Sequence, residues 1–382
     1  MTAFIFRFFV LTVFLSIIWG CNLQAAKQTN QGAKTHSQPQ YEKINIKGED
    51  HKNGIFDISV QYGDDGIGWL AYSRVELPKF VETRIARSND HGNSWTYVTT
   101  ANTSEFGTFG EGDDTIDGIW RHETPSLLFD PQDKPDRRWK LYSQRVFHSA
   151  PYKKKSAMWG ESWLEYRYAR SPKGPWSDSI RLLSGKDGNA KININKLHKD
   201  LREMSFYNEI GSIAVDGNIY LTLDASTTST GLGEWKKRKI ILISSGDHGE
   251  TWKYAGILTD YDDASHLGYL GLTGSSPARE NGKQYLLITP VGKKGLTLKK
   301  GHDGTVVVEF EDISRAKLRR DKKGNLVVIK RFDPVLNAGG LSSYDGQNSA
   351  GGILFCQIDN SVKSPTAQFF KVFNTRQGIL TQ

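Results

Sequence analysis

The chain has 382 residues, with 50 Lys and Arg against 42 Asp and Glu, for a net charge of +8. That length admits one large domain or two, and an excess of base without a recognition motif points to an anionic partner other than nucleic acid. Two cysteines, Cys21 and Cys356, exclude a disulfide scaffold, and no Cys and His spacing suits zinc.

Residues 1–21 read as an export signal. Arg7 precedes an apolar core from Phe8 to Trp19 that is too short for a comfortable membrane span. Ile18-Trp19-Gly20-Cys21 resembles a bacterial lipobox, which makes Cys21 the expected lipidation site and new N-terminus. Cleavage near Ala25-Ala26 is the alternative and gives a soluble form. Either route exports the protein, to the outer membrane or cell surface or to the periplasm. Residues 22–45, rich in Gln, Asn, Lys, Ser and Thr, suit a flexible polar tether, which leaves 46–382 as a single folded domain.

The folded part divides into similar units, each opening with a short strand and continuing into a second. Phe56–Val60 and Gly68–Arg74 begin the first, Glu123–Phe129 and Trp139–Arg145 the second, and Asn208–Val215 and Asn218–Asp224 the third. Gly274–Ala278 with Gln284–Thr289 begins the fourth, and Gly339–Ser343 the fifth. Thr103–Trp120, Phe147–Trp163 and Ser184–Phe206 exceed what a turn needs, and such loops are expected to wall a pocket. Helices should be few and short.

Ser88-Asn-Asp90-His-Gly92-Asn-Ser-Trp95 returns as Ser245-Gly-Asp247-His-Gly249-Glu-Thr-Trp252, each copy following an apolar strand. In such a turn Asp bonds its own backbone, Gly takes a positive φ, and Trp anchors the return. The pattern resembles the Asp-box of sialidase-like β-propellers, and a doubled unit is what a repeat architecture predicts. It implies an all-β fold. Five units give a five-bladed β-propeller, with the six-bladed sialidase type as the alternative. Asp90 and Asp247 are expected to be structural, and Cys356 a buried, inert thiol.

In one unit the first strand's start and the second strand's end meet at the same face. That rule joins Asp57 with Arg74, Glu123 with Arg145, Glu209 with Asp224 and Ser275/Ser276 with Thr289, while the fifth unit adds Asp345 and Gln347. Acidic residues rarely occupy half-buried strand starts without partner or purpose. Asp57, Glu123 and Glu209 are therefore the candidate catalytic set, and ion pairing to the arginines is the structural alternative. Arg74, Arg121, His122, Arg145, Asp224 and Ser276 are the candidate substrate-binding residues. The arginines suit clamping an anion or holding the carboxylates in place. Trp120, Trp163, Tyr207 and Tyr269 sit where they suit stacking on a sugar.

Phe56-Asp57-Ile-Ser-Val60 with Leu70–Ser73, and Glu209–Ile213 with Gly217–Leu221, resemble the first and third blades of five-bladed hydrolases such as glycoside hydrolase family 43. The resemblance implies a glycosidase acting on a poly- or oligosaccharide, with Asp57 as general base and Glu209 as general acid. The charge balance favours an anionic substrate. The family's second-blade acid follows a Pro, whereas this chain has Pro125-Ser126 with Glu123 two residues earlier, so Glu123 is a tuning or binding carboxylate. A sialidase carries arginine where this chain has Phe56-Asp57-Ile58, a reversal of charge that argues against sialic acid there. A sialidase and a non-catalytic carbohydrate-binding propeller are the alternative readings. No cofactor is expected; the acidic stretch Glu111–Asp117 would suit structural calcium but lacks EF-hand spacing. The expected partners are a carbohydrate and, through the lipid, a membrane; no nucleic acid is expected, and the protein is read as a monomer.

Overall fold

The computed structural model describes residues 41–112, 115–149, 159–184, 190–227, 235–293, 301–336, 338–346, 351–359, 361–362 and 368–380. Residues 1–21, expected to be an export signal, with Cys21, most of the expected tether, Asp113, Asp114 and Gln347 lie outside the described residues. The chain is an all-β propeller whose single α-helix among the described residues is the short Tyr261–His266.

Five antiparallel meanders follow one another. Their inner strands are Gly54–Tyr62, Ile116–Phe129, Phe206–Val215, Tyr269–Glu280 and Ala338–Ser343. Five hydrophobic clusters fill the clefts between neighbouring meanders. Trp69 and Ile85 of blade one meet Leu127, Trp139 and Leu141 of blade two, and Ile240 and Leu242 of blade three meet Leu286, Ile288 and Val306 of blade four. Both faces of every sheet are thus apolar, which explains near-continuous runs such as Lys239-Ile-Ile-Leu-Ile-Ser244.

The ring closes through the N-terminal segment. Glu42–Lys43 pairs antiparallel with Phe373–Asn374 as the outermost strand of blade five. Ile46–Lys47 then pairs with Trp95–Thr96 on blade one. Residues 41–45, expected in the tether, therefore belong to the fold, with Ile44 buried beside Ile46. Deeper in the seam, Gly54 faces Phe370, and a Cβ there would sit 1.8 Å from the Phe370 carbonyl oxygen. Only glycine lets the two backbones meet this closely.

The two Asp-boxes are superposable staples. Ser88 Oγ accepts from Gly92 N at 2.8 Å while Asp90 Oδ1 accepts from Ser94 N at 2.8 Å. Ser245 Oγ and Asp247 Oδ1 repeat both contacts with Gly249 N and Thr251 N at the same distances. Trp95 and Trp252 are buried beneath them. The long stretches take forms other than bare pocket walls. Glu105–Phe109 forms a hairpin with the extended start of Ile116–Phe129. The Ser184–Phe206 stretch buries Ile192, Ile194, Leu201 and Met204 against blades two and three. Asp247→Ala should lower unfolding stability by about 1 kcal/mol through the lost turn bonds, measured by urea denaturation. Deleting residues 41–47 should cost several times more and broaden the transition.

Candidate active site

Each inner strand is interrupted once. The pairing register slips between Phe56 and Ser59, Glu123 and Ser126, Asn208 and Gly211, Thr273 and Ser276, and Gly340 and Ser343. Inside each slip lies one left-handed residue: Asp57 at φ +47°, Thr124 at +49°, Glu209 at +51°, Gly274 at +53° and Leu341 at +51°. Four of these five are not glycine, and each such backbone costs of order 1 kcal/mol or more. A bulge re-aims the side chain at its centre. Here all five residues line one axial cavity of about 40 Å3.

Asp57 and Glu209 therefore enter the same cavity from blades one and three. Thr124, not Glu123, holds the equivalent place on blade two, while Glu123 stands one residue earlier and acts on the cavity through its charge. Burial pushes the Asp57 carboxyl up to about 7, with the charge of Glu123 adding to the rise. Ser73 Oγ donates to Asp57 Oδ2 at 3.0 Å and partly opposes it. Glu209 is held well above the ordinary carboxylate range, first by burial and then by the charges of Asp57 and Asp224. Arg238 opposes that rise and Glu123 adds to it. Burial also raises Glu123, against its neighbour Arg121.

The remaining candidates divide. Arg74 does not reach Asp57: it lies opposite Ile55 and its Nη1 bonds Glu76 Oε2 at 2.7 Å. Strand alternation turns Ser73 toward the axis and Arg74 away from it. Arg145 is equally remote from Glu123, being paired with Glu105 and packed against Trp120 and Trp163. Gln144 is the residue opposite Glu123. Arg121 does join the set, with Nη1 3.7 Å from Glu123 Oε1 and Nε donating to the Lys79 carbonyl at 2.9 Å. It fixes Glu123 against blade one. His122 is buried with Nδ1 3.0 Å from Glu165 Oε1, inside blade two rather than on the cavity wall. Asp224 is buried, hydrogen-bonded to Thr273, and pushed up to about 6 chiefly by burial. Ser276 lines the axis, where it and Ser59 also border a larger cavity of about 320 Å3 at the other end. None of Asp57, Glu123 and Glu209 lines that second cavity; Asp345 does, accepting from Gln61 Nε2 at 2.7 Å, so it belongs to the opposite mouth.

Arg238 and His302 were not picked out from the sequence. Arg238 Nη1 lies 3.2 Å from Asp224 Oδ2 and 3.1 Å from Thr273 Oγ1, with its guanidinium over the Trp235 ring. Its place at the foot of the strand paired with Asp224 was the available signal, hidden in the run Lys236-Lys237. His302 stacks parallel to Phe56 at 6.5 Å, and burial together with the charge of Arg238 pushes it down to about 4. It is a neutral imidazole at pH 7, and its Nδ1 is buried without a partner. Among the described residues, one group has metal-ligand spacing: Asp130, Asp133 and His248, within 4.8 Å of one another. The buried Lys140 ammonium already sits there, 2.7 Å from Asp133.

Neither a family model nor a curated relative matches the sequence. Solved structures do. A thermostable family-43 glycoside hydrolase aligns with a TM-score of 0.50 and 13% identity, over 87% of this chain and 91% of its own. The fold is a β-propeller like that of this hydrolase. A Hadza microbial sialidase aligns at 0.47 and 13% identity, covering 87% of this chain and 67% of its own. The Bombyx mori GH32 β-fructofuranosidase aligns at 0.49 and 13% identity over 88% of this chain, which spans 61% of the silkworm protein.

Because its folded-state pKa is raised, Glu209 contributes stability below the unfolded value near 4.3 and loses it as pH climbs through the folded value. Glu209→Gln should therefore melt with wild type at pH 4 and above it at pH 8, by several degrees, in thermal scans across that range.

Proposed function

We propose that the protein is an exported glycoside hydrolase that cleaves an anionic poly- or oligosaccharide by acid–base catalysis between Glu209 and Asp57. One observation carries the reading: these two carboxyl groups occupy the left-handed bulges of blades one and three and share one cavity, with Asp57, Asp224 and Glu123 all adding like charge against Glu209. Glycoside hydrolysis needs one carboxyl protonated and one ionised.

In the proposed reaction Glu209 gives its proton to the glycosidic oxygen as the bond to the anomeric carbon breaks. Asp57 removes a proton from water, whose oxygen bonds that carbon from the opposite side. Placement on non-adjacent blades suits the wider carboxyl separation of inverting enzymes, roughly 6.5–9.5 Å. Glu123, fixed by Arg121, tunes both groups. Arg238, paired with Asp224, opposes the rise of Glu209 from beside the cavity. Every step runs through side chains of this chain, and the protein acts as a monomer, tethered to a membrane through acylated Cys21.

Turnover of aryl glycosides and anionic polysaccharides should fall by about 10²–10⁴ in Glu209→Gln and in Asp57→Asn. Glycan binding without turnover in wild type would instead identify a binding module. The rate should rise with pH through about 7 as Asp57 ionises. Glu123→Gln removes a like charge from Asp57, so its pH–rate profile should show that limb at lower pH. An unmoved limb would contradict the tuning role.

A further inference from the structure

Two cavities lie end to end on the axis, and acid–base chemistry uses one of them. The carboxylate cavity, about 40 Å3, is lined by Asp57 and Glu209; the other, about 320 Å3, opens at the opposite mouth. Serines from all five blades ring the axis between them. Ser59 and Ser276 line both cavities. Ser126 lines the first and Ser212 the second, and their hydroxyls are hydrogen-bonded at 2.8 Å. Ser343 lines the second and accepts from Val60 N at 2.9 Å, as Ser59 accepts from Leu127 N at 2.9 Å. These contacts lace neighbouring inner strands, and a hydroxyl so engaged keeps bonding capacity to spare.

The carboxylate cavity suits water rather than a sugar ring. Its volume is room for about two or three waters and lies far below the roughly 300 Å3 at which ligand pockets begin. Thr124 Oγ1 and Ser275 Oγ line it, both buried and without a protein partner, where buried hydroxyls normally take one. A sugar therefore lies over the near mouth and covers it. Hydrolysis consumes one water per bond, and the covered mouth is closed to its replacement. The opposite mouth is not. Its lining carries Asp64, Asp130, Asp216 and Asp345 against Arg279, a balance that turns away an anionic glycan.

Resting on the glycosidase reading, we propose that the serine-lined axis is a water conduit, carrying solvent from the opposite mouth past Ser276 and Ser59 to Asp57 while the glycan covers the near mouth. Asp57 takes a proton from the water that arrives, and its oxygen bonds the anomeric carbon as Glu209 protonates the leaving oxygen. The next water enters behind it.

The test plugs the far end. Ala214 lines the opposite cavity, roughly 15 Å along the strand from Glu209 and out of reach of the reacting atoms. In the full-length protein, Ala214→Trp should lower kcat by about ten-fold, with KM unchanged, on the polysaccharide that wild type hydrolyses fastest. On a short aryl glycoside, which leaves the near mouth partly open, the loss should stay under about two-fold. Ala214→Ser, which blocks nothing, should match wild type on both. Equal losses on the two substrates, or none on the polysaccharide, would overturn the conduit. A crystal structure of wild type that shows ordered waters needs no variant to fold: waters should run in file past Ser59 and Ser276, and a dry waist would overturn the conduit equally. Turnover of both substrates that the plug leaves unchanged rejects the conduit and keeps the glycosidase, whereas absence of turnover in wild type rejects both.

Discussion

A strand carries its side chains alternately to two faces, and in this ring both faces of each blade are taken by its neighbours. A side chain of the inner strand turns to the axis where that alternation is broken. The chain breaks it once per blade, at Asp57, Thr124, Glu209, Gly274 and Leu341. The strain at the four non-glycine positions is small against the burial in five apolar clefts, so the scaffold holds them. What the cavity contains then depends on which residue each bulge presents. Here it is acid, hydroxyl, acid, nothing and leucine.

Placing two acids this way has an electrostatic consequence. Buried like charges cannot all ionise together. The arginines that would relieve them are kept aside: Arg74 in the outer charge network of blade one, Arg145 in the aromatic cluster of blade two. Arg121 and Arg238 each serve a flanking carboxyl, Glu123 and Asp224. Glu209 is left as the group with most reason to keep its proton, since Asp57, Asp224 and Glu123 all act on it, whereas Glu123 is the like charge that acts on Asp57. The proposed division of labour between acid and base grows from that gradient.

Much of this was legible in the sequence because its signals are local. The Asp-boxes, the paired strand runs and the two axial acids all announce themselves by pattern. What failed did so where position depends on a bulge or a distant strand. Pairing strand starts with strand ends put Arg74 beside Asp57, but the slip between Phe56 and Ser59 brings Ser73 there instead. On blade two the slip likewise presents Thr124, one residue beyond Glu123. Residues 41–45 are polar on average, which suits a tether by composition. Yet Ile44 and Ile46 alternate with charged or polar neighbours, the period of a strand, and both are buried. His302 had no sequence signal, since a histidine between glycines and an aspartate reads as a loop.

The most direct test of the central claim is the ionisation of the two axial carboxyls. Carbon-13 NMR titration of side-chain-labelled protein, assigned with Glu209→Gln and Asp57→Asn, reads each group separately. The account predicts that Asp57 titrates near pH 7 and that Glu209 titrates well above the ordinary carboxylate range. Both groups ionising together in the ordinary carboxylate range, near pH 4, would contradict it.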